Sequence, residues 1–177
     1  MMRTVLLSCC GVLAGVAVAL IVPAAHPADE KKPDPAAVER SRKTVRMLDD
    51  IYKSAIVLIT DKYVKDKRDY PAGRAAIKWF ADISQKGSHE VRLIDATGEP
   101  YGQANVANDD FDREGVKQLK GGKDYYEQLI EKECKPYLRA ITPVPVVMEK
   151  CTMCHEHYKN VKKGAPIGAL TYTVPIE

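Results

Sequence analysis

The sequence lacks a strong imbalance of charge. It has 27 Lys and Arg residues against 24 Asp and Glu residues, a formal net charge of +3 over 177 residues. No long basic cluster and no internal repeat are present. Nucleic-acid-binding domains need a concentrated basic face, so we expect no nucleic-acid partner. The hydrophobic fraction of 45% and the charged fraction of 29% are typical of an ordinary folded domain.

The sequence also lacks an even set of cysteines for disulfide pairing. Five cysteines occur, but Cys9 and Cys10 fall within an apolar N-terminal run. The remaining three are Cys134, Cys151 and Cys154. An odd number in an exported protein argues against a simple disulfide framework. The closely spaced pair at 151 and 154 therefore needs an explanation other than cross-linking.

The N-terminus has the pattern of an export signal. Arg3 supplies the positive charge, residues 5–22 form an apolar run, and small residues follow up to Ala28. This order predicts a secretory signal peptide over residues 1–28 and a periplasmic location. A polar, proline-rich linker follows at 29–35. The alternative is an uncleaved segment that anchors the protein to the membrane, because the run is near the lower limit for spanning.

Residues 36–177 show the periodicity of an α+β domain. Apolar spacings of three and four predict helices, and alternation between turn residues predicts strands. The predicted helices lie at 36–65, 72–86 and 110–120, and the predicted strands at 90–95, 125–130, 137–142 and 170–174. We expect Pro143 and Pro145 to end regular structure before the cysteine pair. Two helices followed by four strands and an inserted helix favour an antiparallel sheet.

The segment Cys151-Thr-Met-Cys154-His155 predicts chemistry directly. Cys-x-x-Cys-His is the attachment signature of c-type haem. Its two thiols form thioether bonds with the two haem vinyl groups, and the adjacent histidine becomes an axial iron ligand. Export agrees with this, since the attachment takes place outside the cytoplasm. The sequence therefore predicts one covalently bound haem c, held by Cys151, Cys154 and His155.

The sixth iron position has several candidates. Met47 on the first helix is the favoured ligand, since methionine serves in cytochromes c. Cys134 is the next candidate as an unpaired thiol, and His89 lies near the start of a strand. An open position without a protein ligand is the remaining alternative, and it permits binding of small gases.

Two other functions compete with a non-enzymatic haem protein. A structural zinc site would use Cys151, Cys154, His155 and His157, although the last three crowd into four residues. A small haem peroxidase would need distal acid–base groups, for which His89 and Arg92 are the candidate pair. We expect no enzyme but an electron carrier or a redox- or gas-responsive module, with a redox or signalling protein as partner.

The C-terminal half resembles a family of exported single-haem c-type domains with a PAS-like sheet, mostly of unknown function. The matching features are the segment 137–143, the Cys-x-x-Cys-His motif and the segment 163–175. The resemblance implies a PAS-like α+β fold with a long N-terminal helix and a second helix packed on it. It also implies a haem held between the sheet, the motif loop and the helices, with no established catalytic reaction.

Overall fold

The computed structural model describes residues 32–66, 68–153, 156–162 and 164–177. The predicted signal peptide at 1–28 lies outside these residues, as do Cys154 and His155 of the motif. Within the described part of the chain, no helix is both long enough and apolar enough to cross a membrane.

The first helix, α1, runs from Pro35 to Tyr63, so its length is about 43 Å at 1.5 Å per residue. The Asp34 carboxylate accepts a hydrogen bond from the Ala36 N–H at 3.1 Å, and a proline at the first position suits a helix start. Val45 and Tyr52 are buried on one face. The predicted long helix thus forms within two residues of its expected bounds.

Two further helices and a first strand follow α1. Helix α2 spans Ala72–Gln85, strand β1 spans Glu90–Asp95, and helix α3 spans Asp110–Lys120. The Asp109 side chain caps α3 by accepting from the Asp112 N–H at 2.9 Å. These elements lie within one residue of the predicted ones, because Pro71 and Gly87 flank α2 and the Asp109 cap marks the start of α3.

The remaining strands complete one four-stranded sheet. Strand β2 spans Tyr126–Lys132, β3 spans Lys135–Pro145 and β4 spans Pro166–Pro175. The strand order is β1-β4-β3-β2, and all pairs are antiparallel. A short helix, α4, covers Lys150–Met153 between β3 and β4. The predicted α+β class with an antiparallel sheet is confirmed.

Strand β3 continues past the prolines that we expected to end it. Pro143 pairs with Ala169, and the strand runs on to Pro145 after a register shift. The β2 pairing stops earlier, at Tyr126 opposite Ile141. Beyond this point β3 has a neighbour on one side only, where a residue without an N–H is tolerated. The expectation of a strand ending at Thr142 was therefore wrong.

The sheet is covered on both faces. Alternate residues of the strands pack against α1 and α2 in one cluster, which includes Tyr52, Phe80, Leu138 and Tyr172. The intervening residues pack against α3 in a second cluster, which includes Phe111, Leu119 and Ile141. This alternation follows from the two-residue period of a strand.

A buried ionic cluster lies on the α3 face of the sheet. The Asp112 side chain is fully buried and accepts from Arg92 Nη1 at 2.9 Å. Arg139 Nη2 donates to the other Asp112 oxygen at 3.1 Å. The Asn108 N–H adds a third bond at 3.0 Å. Every oxygen of this carboxylate therefore has a donor, as a buried charge requires.

Candidate functional site

A cavity of about 430 Å³ lies on the α1/α2 side of the sheet. Its walls come from the C-terminal half of α1, the start of α2 and the ends of β1, β3 and β4. The loop at 101–105 and the segment around α4 complete it. This volume lies within the range of about 300–1,000 Å³ found for small-molecule and cofactor sites.

At Gly168, strand β4 forms part of the wall without adding a side chain. Gly168 pairs with Val144, and both residues line the cavity. A Cβ atom at Gly168 would lie 3.1 Å from the Ile94 carbonyl oxygen and 3.8 Å from the Val144 Cβ. The glycine thus allows the strands to approach closely at the wall of the cavity.

The lining combines an apolar wall with positive charge. Many lining side chains are aliphatic, among them Ile56, Val57, Ile77, Leu93, Val144 and Ile167. Lys53, Arg74 and Lys150 also line it, and no Asp or Glu occurs among the described lining residues. An apolar cavity whose wall contains cations but no acidic residue suits an apolar ligand with negative groups.

A network behind the cavity holds Lys53 in place. Lys53 Nζ lies 2.8 Å from Asp49 Oδ2. The other Asp49 oxygen accepts from Thr142 Oγ1 at 2.5 Å and from the Tyr172 hydroxyl at 2.9 Å. Burial raises the pKa of Tyr172, and the Asp49 carboxylate raises it further, so this hydroxyl keeps its proton. The network ties α1 to β3 and β4.

The other two cations differ in their surroundings. Arg74 is exposed and has no carboxylate partner in the described part of the chain. Lys150 Nζ donates to the Asp61 carbonyl oxygen and lies 3.9 Å from the Asp61 carboxylate. Lys150 therefore links the motif segment to α1, while Arg74 remains available at the start of α2.

The described part of the motif lies at the cavity. Cys151 is partly buried and lines the wall, and its N–H donates to the Met148 carbonyl at 3.1 Å. Tyr158, three residues after the motif, lines the wall as well. Burial raises the pKa of Tyr158 to about 12, so the side chain is a neutral phenol near pH 7.

The predicted sixth ligand, Met47, lies elsewhere. Its side chain is 55% exposed, and it is not among the residues that line the cavity. On α1 it points away from the face that buries Val45 and Tyr52. Its role as an iron ligand stays a prediction.

Cys134 and His89 are also outside the lining. Cys134 is exposed in the turn between β2 and β3, with φ at 57°. The cavity lies at the opposite end of β3, about 30 Å away at 3.3 Å per residue. His89 Nε2 lies 2.7 Å from the Tyr52 hydroxyl, and burial lowers the pKa of the His89 imidazole.

The residues of the two competing functions are placed as follows. Arg92 binds Asp112 on the α3 face, whereas His89 binds Tyr52 on the opposite face, so the structure does not bring this pair together. His157 Nδ1 lies 3.8 Å from Glu99 Oε2. Among the described residues, no group of three or more His, Cys, Asp or Glu side chains could hold a metal ion. The predicted zinc set includes Cys154 and His155, which lie outside those residues.

Sequence reasoning missed the cations of the cavity. Asp49 and Lys53 are four residues apart on a helix, a spacing that signals an ion pair. The hydroxyl groups that hold Asp49 come from Thr142 and Tyr172, 93 and 123 residues away. No local pattern could have shown that this pair stands at a cavity.

Comparisons with known proteins agree with the fold. The family model described as Tll0287-like matches residues 30–174. The solved structure titled "Crystal structure of the cyanobacterial heme-protein Tll0287" is similar with a TM-score of 0.54 and 13% sequence identity, covering 80% of this chain and 96% of that chain. At this identity the likeness concerns the fold, and no curated protein matches the sequence. Since the family model spans most of the sequence, the chain belongs to the Tll0287-like family.

Proposed function

We propose that this protein is an exported c-type haem protein that binds one haem covalently. Cys151 and Cys154 would form the thioether bonds, and His155 would be an axial iron ligand. The observation on which this rests is the cavity at Cys151, with its aliphatic wall and with three cations but no acidic side chain among its described lining residues. A haem is a flat apolar ring with two propionate groups, so both features of the wall match it. The solved relative is itself titled a heme-protein.

Different residues of the cavity would contact different parts of the haem. Ile56, Val57 and Leu93 would contact the ring and exclude water, which tunes the potential of a buried haem. Arg74 and Lys150 would pair with propionates near the surface. The group itself supplies reversible one-electron chemistry, while the protein supplies position and electrostatics.

We propose a redox or sensing role rather than catalysis. A haem peroxidase needs an acid–base group over the iron, and the separation of His89 and Arg92 by the sheet gives no support for one. A redox or signalling protein would be the partner. We also propose that the fold is PAS-like, and the antiparallel sheet packed against α1 and α2 supports this. The export pattern of residues 1–28 supports a periplasmic location.

The test is the covalent adduct. The full chain would be produced in a bacterium with an intact cytochrome maturation system, and the mature protein measured by mass and by the pyridine haemochrome spectrum. We expect the mass of one added haem per chain and a pyridine haemochrome spectrum typical of a haem attached by two thioether bonds. Cys151→Ala and Cys154→Ala should each lose one thioether bond and most of the haem.

Cys134→Ala is the matched control, because Cys134 is exposed in a distant turn. It should retain the full haem content. A mature wild-type protein at apoprotein mass would contradict the proposal. A colourless protein with one zinc ion per chain would instead favour the structural zinc site.

A further inference from the structure

The wall of the cavity has few groups that could fill a sixth iron position. Apart from the Arg74 guanidinium and the neutral amides of Gln103 and Asn105, the nitrogen and sulfur groups among its described residues are Lys53, Met148, Lys150 and Cys151. The last three lie within four residues of one another on the segment that holds the haem. A protein ligand from a different element of the described lining would be Lys53 on α1.

Lys53 is engaged as a cation. Its ammonium group lies 2.8 Å from the Asp49 carboxylate, which is held in turn by two hydroxyl groups, those of Thr142 and Tyr172. An amine binds iron through its lone pair, and an ammonium group has none. It has three N–H donors, so one bond to Asp49 leaves two for another acceptor.

The oxygens of the lining are no better suited to the iron. Thr60 Oγ1 donates to the Ile56 carbonyl oxygen at 2.7 Å. Tyr101 is 64% exposed. Tyr158 follows the motif by three residues and belongs to the same segment as the proximal side. The parts of the lining that come from α1 and α2 thus contribute two cations, Lys53 and the exposed Arg74, and otherwise aliphatic or bonded groups.

We infer that the sixth iron position is open to a small external ligand and that Lys53 is its hydrogen-bond donor. This rests on the proposed haem. The ligand class is a small anion, or a diatomic gas that becomes negatively polarised on the metal. Asp49 is then a positioning residue, because it fixes the Lys53 ammonium group without contacting the ligand.

The experiment uses the purified holoprotein, with fluoride on the ferric form and carbon monoxide on the ferrous form as probes. We expect a high-spin ferric spectrum and saturable binding of both probes. Lys53→Met should weaken fluoride binding about tenfold or more, the equivalent of about 1.4 kcal/mol. It should also raise the C–O stretching frequency, because a positive charge near the bound oxygen lowers that frequency.

Three further variants sharpen the result. Lys78→Met removes the same charge from an exposed position on α2 that is not part of the lining, and it should leave both readouts unchanged. Asp49→Asn should shift the C–O frequency through a displaced Lys53, whereas Lys53→Arg should retain most of the fluoride affinity.

Several outcomes would overturn the inference. A low-spin ferric wild type that binds neither probe would show that the position is filled. If Lys53→Met converted such a protein to high spin, Lys53 itself would be the ligand. Equal effects of Lys53→Met and Lys78→Met would remove Lys53 from the site. A protein that acquires no haem would refute the proposed function, and this inference with it, whereas the other results leave haem binding standing.

Discussion

The two faces of the sheet differ in how their charged side chains are paired. On the α3 face, the buried Asp112 carboxylate has donors from two arginines and one backbone N–H. On the α1/α2 face, three cations line a cavity that has no acidic side chain among its described lining residues. Buried charge without compensation is costly, so the first arrangement is one of stability. In the second, Arg74 is exposed and Lys53 has N–H donors beyond its bond to Asp49, so positive charge remains for a ligand, as is typical of a binding surface.

The largest expected effect comes from removing the centre of the α3 cluster. Asp112→Ala leaves Arg92 and Arg139 side by side without their shared carboxylate. Breaking a buried ion pair by removing one partner costs about 3–5 kcal/mol. We expect a loss of this size in the free energy of unfolding, measured by urea denaturation.

Two controls test whether the faces differ as described. Asp110→Ala removes a fully exposed carboxylate at the first position of α3. This variant should lose less than about 1 kcal/mol in the free energy of unfolding. Arg74→Met on the cavity side should change stability by no more than about 0.5 kcal/mol. If Arg74→Met were as damaging as Asp112→Ala, the division between a stabilising face and a binding face would fail.

A second, smaller effect is expected where α3 meets the sheet. A Cβ atom at Gly115 would lie 2.6 Å from Ile141 Cγ2, and Ile141 is fully buried. Gly115→Val should therefore destabilise the protein by about 1–3 kcal/mol, the usual cost of overpacking a core. The measurement is the unfolding midpoint in urea.

Gly102→Ala is the comparison for that variant. Gly102 lines the cavity, and nothing lies within 4 Å of the position of its Cβ atom. It should alter stability by less than about 0.5 kcal/mol. An unchanged midpoint in Gly115→Val would mean that α3 has room beside Ile141 for a larger side chain.

The elements of the fold were largely predictable because each has local signals. Asp34 and Pro35 mark the start of α1, and Asp109 marks the start of α3. The strand ends were less predictable, since β3 passes through Pro143 where β2 no longer pairs with it. Whether a proline interrupts a strand depends on its neighbour in space, which no local pattern encodes.

The candidate site was predictable only where one segment defines it. Cys151 stands out because its motif is contiguous in sequence. Lys53 and Arg74 do not stand out in the sequence, because they belong to different helices, α1 and α2, and line the same cavity only in the folded protein. Met47 was favoured for its side-chain chemistry, yet helical phase turns it 200° from the buried Val45, at 100° per residue. Residue type suggested a ligand, while position on the helix decides what it can reach.

The smallest effect concerns the cap of α3 and its dependence on pH. Partial burial raises the pKa of Asp109, but hydrogen bonds from Arg139 and from the Asp112 N–H outweigh it and lower the pKa below its usual value. A lowered pKa stabilises the fold above the unfolded value of about 3.9, and this contribution is lost as pH falls through the folded pKa. Asp109→Ala should cost about 1 kcal/mol at pH 7.

Asp109→Asn separates the cap from the charge, because asparagine caps helices as well as aspartate does but is uncharged beside Arg139. Its deficit against wild type should be largest at neutral pH and shrink toward zero as the pH drops below about 4. Urea unfolding of the three proteins between pH 7 and pH 3 measures this. A deficit independent of pH would mean that the α3 face gains nothing from the Asp109 charge, and the contrast between the faces would then depend on Asp112 alone.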